Sequence, residues 1–182
     1  MDKKSIIRKK YLIKRKEKYF NIDFNFFKPL TKIIKKKFKT KIINISFYYP
    51  NYYELDVLKI LDLNFYKKMR FLLPVIEDNN LKFYEWKKRN ILYLNKYGIP
   101  EPEKVKSFLP KILLVPLVAF DKNKNRLGYG KGFYDKYLYK SLKNNKDILA
   151  IGIAFSFQRH KKLPTDSKDF KLNYILTEKG II

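Results

Sequence analysis

The 182-residue sequence contains no cysteine, a single histidine and only six glycines. Without cysteine the chain forms neither disulfide bonds nor thiolate metal sites, and the single histidine, His160, excludes the usual multi-histidine zinc centres. We therefore expect a cytoplasmic protein, because this composition suits a reducing compartment. We expect no membrane partner, since no apolar run approaches the ~20 residues of a spanning helix. The basic N-terminus also lacks the continuous apolar segment of a signal peptide.

Acidic residues are few as well: 42 Lys and Arg against 17 Asp and Glu give a net charge of +25. Such a charge is typical of proteins that bind nucleic acid, because basic side chains neutralise phosphates. The alternative is a general bias towards residues with A/T-rich codons. Lys, Asn, Ile, Phe and Tyr occur throughout the chain, whereas alanine stands only at positions 119, 150 and 154. We favour the bias, so nucleic acid is not the expected partner.

Short apolar segments alternate along the chain with segments of helical periodicity. The segments 111–120 and 148–155 are apolar almost without interruption, which is typical of parallel strands covered on both faces. This alternation predicts an α/β fold with a mainly parallel central sheet flanked by helices. Because no repeat or linker interrupts the pattern, we expect one domain over residues 1–182. The predicted strands are 41–49, 70–76, 81–87, 111–120, 148–155 and 172–180, and the predicted helices are 3–20, 53–69 and 133–145.

A loop between a predicted buried strand and a predicted helix holds Gly128, Gly130 and Gly132, half of all the glycines. Open α/β sheets bind ligands at the carboxyl ends of their strands. Glycines let the backbone approach an anion closely, and the following helix N-terminus adds a partial positive charge. The spacing matches neither the Walker A nor the dinucleotide pattern. The loop alone therefore predicts a phosphate or nucleotide site, with a tight turn carrying solvated lysines as the alternative.

Charged residues near the loop, and on the predicted N-terminal helix, suit a phosphate ligand. Arg126 and Lys131 would supply full positive charges to phosphate oxygens. Asp135 falls in the first turn of the next helix, where it could hold Mg²⁺ or simply interact with the helix dipole. Lys4 and Arg8 are four residues apart on one helix face, and an anion between them would relieve their repulsion.

The stretch LLVPLVAFDKNKNRLGYGKGFYDKYL closely resembles the signature of the 5-formyltetrahydrofolate cyclo-ligases, also called 5,10-methenyltetrahydrofolate synthetases. The family pattern is an apolar strand ending in Pro-x-x-Ala-Phe-Asp, followed by Arg-Leu-Gly-x-Gly-x-Gly-Tyr/Phe-Tyr-Asp. Other landmarks occur in the same order, namely Lys4 and Arg8 as Lys-x-x-x-Arg, Glu54 after a strand, YGIPEP, and the C-terminal FQRHKKLPTDSKDF and ILTEKG. The resemblance covers essentially the whole chain, and its central motif is the most specific part.

The resemblance implies an enzyme that uses ATP and Mg²⁺ to convert 5-formyltetrahydrofolate to 5,10-methenyltetrahydrofolate, with release of ADP and phosphate. In this chemistry the formyl oxygen is phosphorylated, the N10 amine attacks the activated carbon, and phosphate leaves. The protein must supply positioning, cations and a metal rather than a nucleophile. The expected partners are ATP and a folate that can carry a polyglutamate tail. We expect the enzyme to be a monomer.

The resemblance also implies roles for individual residues, with Arg126 and Lys131 acting on the transferred phosphoryl group. The residues expected to bind ATP are Lys4, Arg8, Arg126, Leu127, Gly128, Tyr129, Gly130, Lys131, Gly132, Phe133 and Tyr134. The residues expected to bind the folate are Tyr49, Glu54, Tyr129, Gly130, Lys131, Gly132 and Phe133. Glu54 would accept paired hydrogen bonds from the pterin, although an acid at a helix N-terminus is an ordinary structural feature. The expected Mg²⁺ carboxylates are Asp135 and Asp169.

Some interpretations stay open at this point. Phe83 and Trp86 could stack on the pterin or the aminobenzoate, or could pack in the core. The chain departs from the family at Lys168, which precedes the expected metal ligand, and at Asp166, which replaces a common glutamate. The alternative functions are a basic nucleic-acid-binding protein and an inactive relative of the ligase. The intact segment 126–135 favours an active enzyme.

Overall fold

A computed structural model describes residues 2–38, 43–144 and 148–182. The helices are α1 (Lys3–Glu17), α2 (Lys28–Lys37) and α3 (Phe133–Asn144), with short 3₁₀ helices at Phe24–Phe27, Val57–Asp62, Asn64–Lys68 and Ser156–Gln158. The strands are β1 (Asn44–Ser46), β2 (Arg70–Glu77), β3 (Asn80–Glu85), β4 (Leu92–Leu94), β5 (Pro100–Pro102), β6 (Ile112–Pro116), β7 (Ala119–Phe120), β8 (Arg126–Leu127), β9 (Leu149–Ile153), β10 (Tyr174–Thr177) and β11 (Gly180–Ile181). None of these described helices is long and apolar enough to cross a membrane.

The central sheet has seven strands in the order β11-β10-β9-β6-β1-β2-β3. The five inner strands are parallel, and β3 and β11 join the two edges in antiparallel pairs. Two small antiparallel sheets, β4–β5 and β7–β8, lie outside it. The predicted fold class, an α/β protein with a mainly parallel central sheet flanked by helices, is confirmed.

Side chains of the inner strands alternate between two apolar cores, one on each face of the sheet. In β6, Leu114 belongs to the core that contains Leu30 of α2, whereas Leu113 belongs to the core that contains Leu138 of α3. This arrangement explains the uninterrupted apolar runs, because a strand covered on both faces has no polar side. The predicted strand 111–120 is in fact two strands, β6 and β7, since the chain leaves the central sheet after Pro116.

The predicted helix over 53–69 is wrong, because two 3₁₀ helices occupy this region. The Asp56 carboxylate accepts a hydrogen bond from the Leu58 amide, and Leu63 is extended with φ −83° and ψ 123°. Aspartate and asparagine side chains compete with the helix for backbone groups, and they stand at positions 56, 62 and 64. Apolar residues at helical spacing are therefore buried here by short 3₁₀ turns, as Val57 and Ile60 show.

Other boundaries shift by a few residues or lie outside the described residues. The predicted strand 41–49 contains the three residues of β1, and positions 41 and 42 are outside the described residues. The predicted strand 172–180 contains β10, after which β11 forms a hairpin with it. Phe83 and Trp86 are 2% and 5% exposed in the cores on opposite faces, so core packing accounts for both.

Candidate functional site

A cavity of about 580 Å³ lies at the carboxyl ends of the parallel strands β1, β2 and β6. Its wall comes from α1, the segment after β1, the β4–β5 hairpin, the loop between β8 and α3, and the loop before β10. The residues predicted from sequence for ATP, folate or metal all line this cavity: Lys4, Arg8, Tyr49, Glu54, Arg126, Leu127, Gly128, Tyr129, Gly130, Lys131, Gly132, Phe133, Tyr134, Asp135 and Asp169. Their individual roles stay predictions.

The glycine loop between β8 and α3 is bound directly to α1. Arg8 donates a hydrogen bond from Nε to the Gly128 carbonyl at 2.8 Å. A Cβ atom at Gly130 would lie 3.4 Å from the Arg8 guanidinium carbon, and this residue has φ +99°. Gly132 has φ +67°. The backbone conformation thus favours glycine at position 130, where a Cβ atom would be in ordinary van der Waals contact with the arginine.

Lys4 joins α1 to the loop before β10 through two carboxylates. Its Nζ lies 2.8 Å from Asp166 Oδ2 and 2.6 Å from Asp169 Oδ2. Burial by itself would lower the pKa of Lys4, but the hydrogen bonds and charges of the two carboxylates outweigh it and raise the pKa. The same lysine lowers the pKa of Asp166. Lys4 is consequently cationic at neutral pH, and Asp166, which the sequence marked only as a departure from the family, also lines the cavity.

The other predicted metal carboxylate, Asp135, is also paired with a cation. Arg126 Nη1 lies 2.9 Å from Asp135 Oδ1, and the Phe170 amide donates to the same oxygen at 3.2 Å. Within the described ranges, no group of three or more His, Cys, Asp or Glu side chains could hold a metal ion. Carboxylate oxygens are the ligand type that Mg²⁺ takes, usually one or two from the protein with phosphates and water completing the shell, so Asp135 and Asp169 stay predicted ligands.

Glu54 is a buried carboxylate on the cavity wall, only 8% exposed. Its Oε1 accepts a hydrogen bond from the Tyr129 hydroxyl at 2.6 Å, and its Oε2 accepts one from the Asn51 amide at 2.9 Å. Burial raises the pKa of Glu54, while the Tyr129 hydrogen bond and the charge of Arg15 oppose that rise. Each carboxylate oxygen keeps accepting capacity for a ligand, because an ionised carboxyl offers about four acceptor sites.

The β4–β5 hairpin forms a wall of the cavity that the sequence did not predict. Glu101 Oε1 accepts hydrogen bonds from the Ile76 amide at 2.9 Å and from Asn95 Nδ2 at 2.7 Å, which fix the hairpin to β2. At its tip, the Tyr97 ring is 5.5 Å from Lys131 Nζ, across from the glycine loop. The glycine and prolines of segment 96–104 are typical of a turn, but they carry no information about where the turn lies in space.

Comparisons with known proteins show which family the chain resembles. The profile of the 5-formyltetrahydrofolate cyclo-ligase family matches residues 1–178. A curated 5-formyltetrahydrofolate cyclo-ligase of Haemophilus influenzae is 45% identical over 87 residues, which are 45% of this chain and 46% of the relative. The corresponding protein of Escherichia coli K12 is 36% identical over 91 residues, 47% of this chain and 49% of the relative. In these alignments the chain spans about half the length of the curated relatives it matches.

Two solved structures are similar over nearly the whole chain. The NMR structure of the Aquifex aeolicus 5,10-methenyltetrahydrofolate synthetase superposes with a TM-score of 0.71 and 30% identity, covering 98% of this chain and 91% of that one. A 5,10-methenyltetrahydrofolate synthetase from Mycoplasma pneumoniae gives a TM-score of 0.67 and 25% identity, covering 96% and 98%. The family profile, the curated relatives and the fold agree: the chain belongs to the 5-formyltetrahydrofolate cyclo-ligase family.

Proposed function

We propose that this chain is a cytoplasmic, monomeric ligase that converts 5-formyltetrahydrofolate to 5,10-methenyltetrahydrofolate with consumption of ATP and release of ADP and phosphate. The observation that carries the proposal is that one cavity is lined by the glycine loop, by Lys4 and Arg8 of α1, and by the buried Glu54. The cations suit a triphosphate, and the buried carboxylate suits the amino-pyrimidinone edge of a pterin. One cavity thus offers groups suited to both substrates.

The reaction needs the formyl oxygen converted into a leaving group. The formyl oxygen takes the γ-phosphoryl group of ATP, N10 then forms the new bond to the formyl carbon and loses its proton, and the carbon–oxygen bond breaks to release phosphate. No protein nucleophile is required, so catalysis depends on positioning and on charge stabilisation.

Arg126 and Lys131 are the cations that we assign to the transferred phosphoryl group. The Arg126 side chain is only 3% exposed, so its charge acts in a region largely free of water. Lys131 is exposed on the glycine loop and can reach a ligand that enters the cavity. Asp135 and Asp169 would hold Mg²⁺, which when bound neutralises phosphate charge.

The proposal is tested by mixing the protein with 5-formyltetrahydrofolate and Mg²⁺ and following the near-ultraviolet absorbance of the methenyl product. We expect a rise that requires ATP. Lys131→Ala should lower kcat by roughly 100-fold or more, because a cation aimed at developing charge is lost. The matched control is Lys140→Ala, since Lys140 is exposed on α3 away from the cavity. Folded wild-type protein that gives no rise would refute the proposal and direct attention to salt-dependent RNA binding.

A further inference from the structure

Arg15, in the last turn of α1, is a buried cation that does not line the cavity. It is only 1% exposed. Its Nε and Nη2 donate to the Tyr52 carbonyl at 3.0 and 2.7 Å, and its Nη1 donates to the Leu117 carbonyl at 3.4 Å. Burying a guanidinium is costly unless its donors are satisfied. Three hydrogen bonds to two carbonyls meet this requirement, and one of these carbonyls, that of Tyr52, belongs to the turn beside Glu54.

The same guanidinium is connected to the buried carboxylate of the site. Arg15 Nη2 donates to the Tyr129 hydroxyl oxygen at 2.6 Å, and that hydroxyl donates to Glu54 Oε1 at 2.6 Å. Both distances are short, as expected for hydrogen bonds to charged groups. The three side chains come from α1, the glycine loop and the turn after β1. This chain of hydrogen bonds from Arg15 through Tyr129 to Glu54, here called the relay, therefore connects three walls of the cavity.

Two residues of the turn that carries Glu54 have an unfavourable backbone conformation. Tyr52 and Tyr53 have φ +47° and +60°, a left-handed conformation that residues with a Cβ atom rarely adopt. The two residues are 66% and 49% exposed, so side-chain burial does not explain the conformation. The turn is closed by a hydrogen bond from the Glu54 amide to the Asn51 carbonyl at 2.9 Å. From outside the turn, Arg15 restrains it through two hydrogen bonds to one carbonyl.

We propose that Arg15 is a positioning residue for substrate binding, acting through the Tyr129 hydroxyl to hold Glu54 ionised and oriented towards the pterin. The two hydrogen bonds from Arg15 to the Tyr52 carbonyl keep the strained turn in the conformation that places the Glu54 carboxylate on the cavity wall. The inference rests on the proposed function, because it concerns how the folate is recognised. It predicts that loss of the relay weakens folate binding and leaves ATP binding intact.

The first test separates the two substrates kinetically. Tyr129→Phe removes one oxygen and keeps the ring, so the fold is preserved. We expect the KM for 5-formyltetrahydrofolate to rise roughly tenfold or more, as for the loss of a hydrogen bond to a charged group. The KM for ATP should stay within about twofold, because the lost hydroxyl is bonded to Glu54 and the backbone and ring of Tyr129, which the glycine loop would offer to ATP, are unchanged. Arg15→Gln should reproduce this split, and Arg15→Lys, which keeps the charge, should recover part of the loss. Tyr139→Phe, an exposed tyrosine of α3, is the matched control.

A pH profile adds a readout that a purely structural role would not change. Besides burial, the groups that act on Glu54 are Tyr129, Arg15 and the Asn51 amide, and the charge of Glu54 in turn adds to the raised pKa of Tyr48 and Tyr134. Burial raises the pKa of each tyrosine, so Glu54 is the group that titrates in the acid range. The Tyr129 hydrogen bond lowers the Glu54 pKa. Tyr129→Phe should therefore shift the acid limb of folate binding to higher pH.

A ligand-free measurement keeps the inference testable apart from the enzyme activity. Hydrogen exchange of peptides that cover residues 51–54 should be faster in Arg15→Gln than in the wild type. Unchanged exchange overturns the inference whatever the protein catalyses. The inference is also overturned if exchange is faster in Arg15→Gln but Tyr129→Phe changes neither the folate KM nor the acid limb of the pH profile. Arg15 would then have a structural role only. A wild-type protein that binds no 5-formyltetrahydrofolate refutes the proposed function, and the positioning role with it.

Discussion

At the scale of residues, the cavity is notable for the pairing of its charges. Lys4 is matched by Asp166 and Asp169, and Arg126 is matched by Asp135. In the proposed reaction the phosphates of ATP would bind these cations, and Mg²⁺ would bind the carboxylates. Exchanging one set of charge pairs for another would let a highly charged ligand enter without leaving a buried charge unpaired.

This pairing gives a specific prediction for Asp135→Asn. The variant keeps the size of the side chain and removes the charge, so we expect the Mg²⁺ concentration for half-maximal activity to rise about tenfold or more. Titration of Mg²⁺ at saturating ATP and folate measures the effect. The control is Asp62→Asn, an exposed aspartate that pairs with Lys88 far from the cavity residues. An unchanged Mg²⁺ requirement in Asp135→Asn would show that Asp135 is not a metal ligand.

At the scale of elements, the loop between β7 and β8 is organised by one buried carboxylate. Asp121 is 1% exposed, and Oδ1 accepts hydrogen bonds from the Asn123 and Asn125 amides at 2.9 and 3.1 Å. Its Oδ2 accepts from Asn125 Nδ2 at 3.0 Å and from the Leu163 amide at 3.2 Å. The loop is thus closed on itself and fixed to the segment 161–165, which positions β8 and the glycine loop behind it.

We predict that Asp121→Asn destabilises the protein by about 1–3 kcal/mol at neutral pH, the cost of hydrogen bonds to a buried charged group. Burial would raise the pKa of Asp121, but the hydrogen bonds outweigh it and lower the pKa. The contribution of the charge is therefore fully present above the unfolded-state pKa and is lost as the pH falls through the folded-state pKa. Urea unfolding at decreasing pH should show wild type and variant converging in acid. A difference that persists there would mean that shape, not charge, is responsible.

The elements differ in how well sequence alone could predict them. The segments 111–120 and 148–155 were identifiable because burial on both faces leaves an uninterrupted apolar run. The region 53–69 was not, because an apolar period of helical spacing does not reveal that Asp56 competes for the backbone. The role of Arg15 was hidden for another reason. It depends on a contact with Tyr129, 114 positions away, which only the folded chain brings about.

At the scale of the whole molecule, the net charge of +25 is concentrated near one end of the chain. Residues 1–41 hold 16 Lys and Arg and three acids, and they include α1, which supplies Lys4 and Arg8 to the cavity wall. An anionic substrate would therefore approach a surface of opposite charge. The same charge would attract any polyanion, so the distinction between substrate and nucleic acid depends on the cavity rather than on the surface.

The charge predicts that a folate with a polyglutamate tail binds more tightly than one with a single glutamate, and that salt removes the advantage. Each added glutamate carries a negative charge along the basic surface, and such interactions are screened when the Debye length falls to about 3 Å in 1 M salt. We expect the KM ratio of monoglutamate to polyglutamate substrate to exceed one at low salt and to approach one as salt rises. The measurement is the KM of both substrates over a salt series at constant ATP and Mg²⁺. Equal KM values at low salt would mean that the basic surface does not contact the tail, and the codon bias would then account for the charge.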